Sequence, residues 1–258
     1  MRTGLLLARW GRVTLSGAAG IVLWQWFAIY VVRNPLFLPT PSSVLAATIQ
    51  VIGSGELLDN IKVSLTYFSV GSSLGFAGGV LLGVLLGASP RTAEYVDPWV
   101  SAAYTAPLVA LTPLLIIWFG IGLWSKTIII ALVVIFPVTI GTVAGIRSTD
   151  RSLLEVATSM GAGRLDTLRK VMVPWALSFI LSGARIGVGR GVIGIFVAEL
   201  FGGASKGVGL MITNAASVFN TPLLFVGIIV LAVMGVAVTS VLRYLERRMA
   251  PWRTQSVV

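Results

Sequence analysis

Three charged residues interrupt the apolar run between residues 175 and 200: Arg185, Arg190 and Glu199. Charge at such positions is costly in a membrane and normally faces a bundle interior, a partner or a water-filled path. A cation there can hold or steer an anion, and a carboxylate can pair with a cation. Arg185 and Glu199 fall within about 40° of each other on a helix, whereas Arg190 points away from Arg185. The three residues are therefore candidates for a transport pathway or its gate.

The rest of the sequence gives little indication of a catalytic site that breaks covalent bonds. The sequence has no cysteine and no histidine, which removes the commonest metal ligands and the usual general base. A G-x-G-x-x-G pattern at 189–194 lies inside an apolar run, and the phosphate-loop-like stretch 120–127 lacks its second glycine and a preceding strand. We predict no catalytic residue, no metal site, no cofactor bound by this chain and no enzyme activity of its own.

The composition is typical of a helical membrane protein. The 258 residues are 56% hydrophobic and 11% charged, whereas about 25% of residues are charged in soluble domains. A net charge of +10 is compatible with nucleic-acid binding. However, the lysines and arginines lie in loops that flank apolar runs, as the positive-inside rule requires. We expect contacts with membrane lipid and none with nucleic acid.

Six apolar runs are long enough to cross a bilayer, which predicts an all-α polytopic fold with six transmembrane helices. Residues 15–242 form one domain, between a tail at 1–14 and a basic tail at 243–258. Most lysines and arginines fall on the side of both termini, so we predict that both termini are cytoplasmic. The predicted spans are Leu15–Val32, Val63–Ala88, Val100–Phe119, Thr127–Ile146, Trp175–Leu200 and Leu223–Leu242.

Glycines recur at helical spacing in the second and fifth predicted spans. Small residues in one stripe let another helix approach backbone to backbone. Two interpretations stay open, namely packing inside one bundle and an interface between subunits. The glycines are Gly71, Gly75, Gly79, Gly83 and Gly87 in the second span, and Gly183, Gly187 and Gly191 in the fifth.

A polar stretch from Asp150 to Pro174 separates the fourth and fifth predicted spans. Ser152 and Glu155 have the spacing of a capping box, and Asp150 is an alternative helix N-cap. An amphipathic turn follows, Gly161 breaks the helix, and Pro174 is expected to end a second short helix. This pattern predicts two short helices outside the bilayer that offer a surface to another protein.

The same stretch resembles the EAA loop of ABC importer permeases. Glu155-Val156-Ala157, three residues, Gly161, nine residues and Val171-Met172-Val173-Pro174 are similar to E-A-A, three residues, G, nine residues, I-x-L-P. The resemblance implies a type I ABC importer permease fold, in which a cytoplasmic coupling helix docks on a separate ATP-binding subunit. The coupling residues that it implies are Glu155, Ala157, Gly161, Arg164 and Pro174.

Motifs around the fifth span are similar to those of the sulfonate/nitrate/taurine group of importers. They are Gly183-Ala184-Arg185, Ala198-Glu199 and Gly207-Val208-Gly209. This resemblance implies a small anion as the solute, although related systems also carry pyrimidines and aromatic acids. Because the group shares the motifs across substrates, Arg185 is interpreted as structural or gating, and Arg190 is the better candidate for a pathway cation.

The resemblance also implies partners and a location. These are two cytosolic ATP-binding subunits that hold ATP and Mg, an extracytoplasmic substrate-binding protein, and a second permease copy or a paralogue. The location is the inner membrane of a prokaryote. The alternative function is a secondary transporter or channel that works alone. Such a protein is expected to show an inverted repeat or several intramembrane carboxylates, and the sequence shows neither.

Overall fold

The structure, a computed structural model, describes residues 2–201 and 206–249, and these residues form helices and no strand. Five stretches are long and apolar enough to cross a membrane: Thr14–Val32, Glu56–Ala88, Leu123–Arg147, Arg164–Phe201 and Thr221–Glu246. This architecture confirms the prediction of an all-α polytopic membrane protein.

The α-helices of the described residues follow one another with short connections. In chain order they are α1 (Arg2–Phe27), α2 (Pro41–Gly53), α3 (Glu56–Ala88), α4 (Pro90–Thr105), α5 (Thr112–Phe119), α6 (Leu123–Arg147), α7 (Arg151–Ser159), α8 (Arg164–Thr167), α9 (Val173–Phe201), α10 (Val208–Ser217) and α11 (Thr221–Met249). Helix α1 begins inside the predicted N-terminal tail. Helix α11 extends past residue 242 into the predicted basic tail, whose residues 250–258 lie outside the described part.

The third predicted span, Val100–Phe119, is wrong as a single helix. Helix α4 ends at Thr105, a 3-10 turn covers Leu108–Leu111, and α5 begins at Thr112. The break falls at Ala106, whose backbone is extended at ψ 143°. A residue that precedes proline is pushed out of the helical region by the proline ring, and Pro107 follows here. The apolar run therefore becomes two short helices joined by a turn.

Helices α3, α6 and α9 pack tightly against one another and carry most of the core. The five predicted glycines of α3 face α6 so closely that an added Cβ would overlap it; at Gly75 it would lie 2.6 Å from the backbone oxygen of Ala131. Gly183 and Gly187 of α9 face the backbone of α6 in the same way, while Gly191 meets the ring of Phe68. These glycines thus lie at contacts inside one bundle, and Gly141 and Gly145 of α6, which sequence reasoning missed, face α9.

A second difference concerns Pro174, which was expected to end a short helix. Residues Leu168–Met172 form a π turn that runs directly into α9, and Pro174 lies in the first turn of that helix. Because the helical stretch is continuous here, the proline removes one hydrogen bond of the ladder, and the π turn lies directly before it, where a helix departs from regular geometry. The segment after α7 therefore continues into the fifth span without a break.

Candidate functional site

The polar stretch between α6 and α9 forms a defined helical turn. Asp150 is the N-cap of α7, because its Oδ1 accepts a hydrogen bond from the backbone N–H of Ser152 at 2.9 Å. This bond holds the pKa of the Asp150 carboxyl below its usual value. Asp150, the alternative considered above, is thus the cap, and Ser152 lies inside the helix. We call residues 150–172 the coupling segment.

Gly161 ends α7 in a conformation that favours glycine. Its φ is +78°, the N–H of Ala162 donates to the oxygen of Ala157 at 3.0 Å, and the N–H of Gly161 donates to Thr158 at 2.9 Å. This pair of bonds is the Schellman motif, which satisfies carbonyl groups at a helix end. The tight reversal turns the chain from α7 into α8. The glycine of the EAA-like pattern is therefore required by the backbone conformation at Gly161.

The coupling segment leaves apolar side chains uncovered. Leu153 is 40% exposed, Val156 57% and Met160 82%, and they share one face of α7. Ala157 lies at the edge of this face, about 40° from Leu153 on the helix, and is buried. The exposed carboxylate of Glu155 makes no hydrogen bond or ion pair with any described residue. A groove between this segment and the end of α3 is lined on one side by Ser89 and on the other by residues that include Arg164.

Arg185 and Arg190 have different surroundings although they share α9. Arg185 Nη1 donates to Glu246 Oε2 of α11 at 3.1 Å, so its charge is neutralised within the chain. The exposed guanidinium of Arg190 lies over the ring of Tyr104 of α4, with its carbon 4.6 Å from the ring centroid. None of the ion pairs between described residues involves Arg190.

Glu199 is only 1% exposed and binds the first turn of α10. Its Oε1 accepts from Ser64 Oγ and its Oε2 accepts from the N–H of Gly209, each at 2.6 Å. Ser64 also accepts from the N–H of Val208 at 2.9 Å, and Asn60 accepts from that of Gly207 at 2.9 Å. The carboxylate therefore satisfies N–H groups that a helix start leaves without partners. We call Asn60, Ser64, Glu199 and the start of α10 the α10 cluster.

Lys126 is a further charged member of this region. It directly precedes the fourth predicted span in the sequence, and the structure buries it to 2% exposure at the start of α6. Its ammonium lies 4.8 Å from the ring centroid of Tyr67 and is attracted to Glu199. A buried charge is tolerated when an opposite charge lies near it. Arg185, Arg190 and Glu199 thus form no common site, since each has different neighbours.

Sequence reasoning missed the partners of these charged residues. Tyr104, Asn60 and Ser64 lie in other helices, and only the tertiary fold brings them to α9. A weak signal existed for Asn60 and Ser64, because residues four apart share a helix face. Nothing in the spacing of Tyr104 indicates its position over Arg190.

Comparisons with known proteins agree with this architecture. The family model of binding-protein-dependent transport system inner membrane components matches residues 79–251. A protein of Bacillus subtilis (strain 168) described as an aliphatic sulfonates transport permease, SsuC, is 39% identical over 95% of this chain and 88% of its own. The taurine transport system permease protein TauC of Escherichia coli (strain K12) is 34% identical over 93% of this chain and 90% of its own.

A solved structure has the same fold. The chain from an inward-facing methionine ABC transporter MetNI superposes with a TM-score of 0.68 at 18% identity, over 76% of this chain and 97% of that chain. The match of the family model over most of the chain and the two permease relatives exclude the alternative of a transporter that is unrelated to ABC importers. The chain belongs to the family of binding-protein-dependent transport system inner membrane components and is the permease subunit of an ABC importer.

Proposed function

We propose that two copies of this chain form the translocation path for a small organic anion, and that ATP-binding subunits drive it through the coupling segment. The exposed apolar face of α7 is the observation that carries this proposal. An apolar face at the end of a membrane bundle is stabilised when a partner covers it. Glu155, with no partner among the described residues, and Arg164 beside the groove supply polar groups for the rim of such a contact.

Two identical subunits fit the number of coupling segments. One chain carries one such segment, so two copies are needed to engage two ATP-binding subunits. Those subunits would bind ATP and Mg and perform the hydrolysis, while this chain does no bond chemistry. A substrate-binding protein would deliver the solute to the opposite face. Closure of the ATP-binding subunits would then rock the two bundles between their open states.

A cytoplasmic location of the coupling segment is supported by charge. Arg147, Arg164, Arg169 and Lys170 cluster at this end of the bundle, in agreement with the positive-inside rule. The N-terminal end of α1 and the C-terminal end of α11 also carry arginines. We place both termini and the coupling segment on the cytoplasmic side of the inner membrane.

The transported solute is proposed to be a sulfonate such as taurine. Two relatives above 30% identity have sulfonate or taurine transport in their names. Arg190 supports an anionic solute, because it is an exposed cation in a spanning helix and no described carboxylate pairs with it. A guanidinium binds planar oxyanions through several directed N–H groups.

Reconstitution in proteoliposomes tests this proposal. The chain is purified with its ATP-binding subunits and supplied with its substrate-binding protein, and uptake of radiolabelled taurine and methanesulfonate is followed with and without ATP. We expect ATP-dependent uptake. Arg190→Ala should lower uptake and leave the assembled complex intact, whereas Glu155→Ala should weaken recovery of the ATP-binding subunit in a pull-down. ATP-dependent uptake only of solutes that carry no sulfonate group would contradict the proposed substrate class.

A further inference from the structure

The contact between Arg190 and Tyr104 lies deep in the bundle. Arg190 is seventeen residues past Val173, which places it about 25 Å along α9 from the coupling segment. Tyr104 is fourteen residues past Pro90, about 21 Å along α4 from the same end. Because the two side chains are in contact, they lie at a similar level, between the midpoint of α9 and its far end, within a stretch long enough to cross a membrane.

A charge at that depth needs water or a polar partner. An unpaired arginine in lipid is strongly disfavoured, and such residues normally face a water-filled path. The face of α9 that carries Arg190 is open, since Ile186 is 51% exposed and Ile193 is 62% exposed. The aromatic ring of Tyr104 is the contact described for the guanidinium. A cation over a ring is held more weakly than a cation bonded to an oxyanion.

Tyr104 lies next to the break between α4 and α5. Ala106 is extended and Pro107 follows, so the helix that carries the ring ends one residue after Tyr104. A chain that leaves helical geometry at one or two residues can change direction there without disturbing the helices on either side. The ring can therefore move away from Arg190 when α4 moves relative to α9.

We propose that Tyr104 is a gate over Arg190, which covers the guanidinium in this state and gives way to the anionic group of the solute when the path opens. This inference rests on the proposed function, in which the solute is a small anion. It assigns to Tyr104 a role in specificity, because only a group that binds a guanidinium better than an aromatic ring can replace it.

The absence of native cysteine allows a direct test. Tyr104→Cys removes the ring and places a thiol beside Arg190 in the complete complex in proteoliposomes. The thiol is labelled with the sulfonate-bearing reagent 2-sulfonatoethyl methanethiosulfonate and with its trimethylammonium analogue. With each rate divided by that of the same reagent with a free thiol in solution, we expect the anionic reagent to react about tenfold faster, because a nearby cation in a low-dielectric path concentrates anions. Adding Arg190→Gln to the Tyr104→Cys chain should abolish this preference.

A control cysteine separates the path from lipid. Val233 of α11 is 62% exposed and apolar, and Val233→Cys should react slowly with both charged reagents. Retained ATP hydrolysis by the Tyr104→Cys complex reports that it has folded and assembled. Equal rates of the two reagents at residue 104, or rates as slow as at residue 233, would overturn the gate.

Transport supplies a second measurement. Tyr104→Phe keeps the ring and should take up methanesulfonate at close to the normal rate. Tyr104→Leu removes the ring and should increase ATP-independent passage of methanesulfonate several-fold. If Tyr104→Leu changes neither passage nor uptake while Arg190→Ala lowers uptake, the gate is wrong and the proposed function stands. If the unmodified complex takes up no anion, the proposed function itself fails.

Discussion

The α10 cluster and the coupling segment lie at opposite ends of the bundle, and they differ in whether their side chains have partners within the chain. In the α10 cluster, Asn60, Ser64 and Glu199 are buried, and their hydrogen bonds are made to one another and to the start of α10. In the coupling segment, Met160 is 82% exposed and Leu165 63%. The polar groups at one end thus have partners within the chain, whereas apolar side chains at the other end are exposed.

This difference predicts which mutations should lower the stability of the fold and which should lower assembly with a partner. A buried carboxylate with several bonds contributes to the fold, since its removal strands the groups bound to it. An exposed apolar side chain contributes little to the fold and can contribute much to a docked interface. Mutations in the α10 cluster should therefore lower stability, and mutations in the coupling segment should lower binding of a partner.

The largest effect is expected at Glu199. Glu199→Ala leaves the N–H of Gly209 and the hydroxyl of Ser64 without their acceptor, which costs about 1–3 kcal/mol for each buried group left unsatisfied, and it removes a carboxylate near Lys126. We expect strongly reduced yield of monodisperse protein in detergent. Glu199→Gln, which retains an acceptor oxygen but loses the charge, should be affected less. Normal yield of Glu199→Ala would show that the cluster does not hold α10.

The next effect is expected on the apolar face of α7. Met160→Glu should lower the affinity for the ATP-binding subunit by about a hundredfold, because burying an unpaired charge in an interface costs about 3 kcal/mol. Ser159→Glu is the matched control, since the neighbouring position adds the same charge off this face. Both variants should keep normal thermal stability as isolated permeases. Equal binding of the two variants would remove the docking role from this face.

A smaller effect is expected at the end of α7. Gly161→Ala puts a Cβ on a residue at φ +78°, which costs about 1 kcal/mol although an added Cβ meets no atom within 4 Å. Gly163→Ala is the control, because Gly163 has φ −71° and equally open surroundings. We expect fewer transported molecules per ATP hydrolysed for Gly161→Ala and no change for Gly163→Ala. Identical coupling ratios would argue against a mechanical role of the turn.

The smallest effect is expected at Arg185. The Arg185–Glu246 pair is partly exposed, so its loss should lower stability by at most about 1 kcal/mol. Arg185→Gln should lower the melting temperature of the permease slightly, and the exchange Arg185→Glu with Glu246→Arg, which keeps the pair, should leave it close to that of the unaltered chain. Uptake should follow the melting temperature in both variants. Lost uptake in the stable double variant would assign Arg185 to the pathway after all.

Much of the fold could be predicted because hydrophobic length is a local property. Four long apolar runs and the run after the N-terminus became helices close to the predicted bounds. The run at 100–119 did not become a single helix. Its length and apolarity do not take into account that the residue before Pro107 prefers an extended backbone. Pro174 was misjudged because a proline usually ends a helix, whereas the helix here runs through a π turn and the proline into the fifth span.

By itself the sequence determined the class of the protein, the position of the coupling segment and the glycine stripes, because each depends on residues that are close in the chain. Only the tertiary structure decided which face each stripe meets and that Glu199 binds the start of α10. It also distinguished Arg185, which has a carboxylate beside it, from Arg190, which has a ring. The physical reason is that the cost of a buried charge depends on what lies opposite, and the opposite groups come from helices far away in sequence.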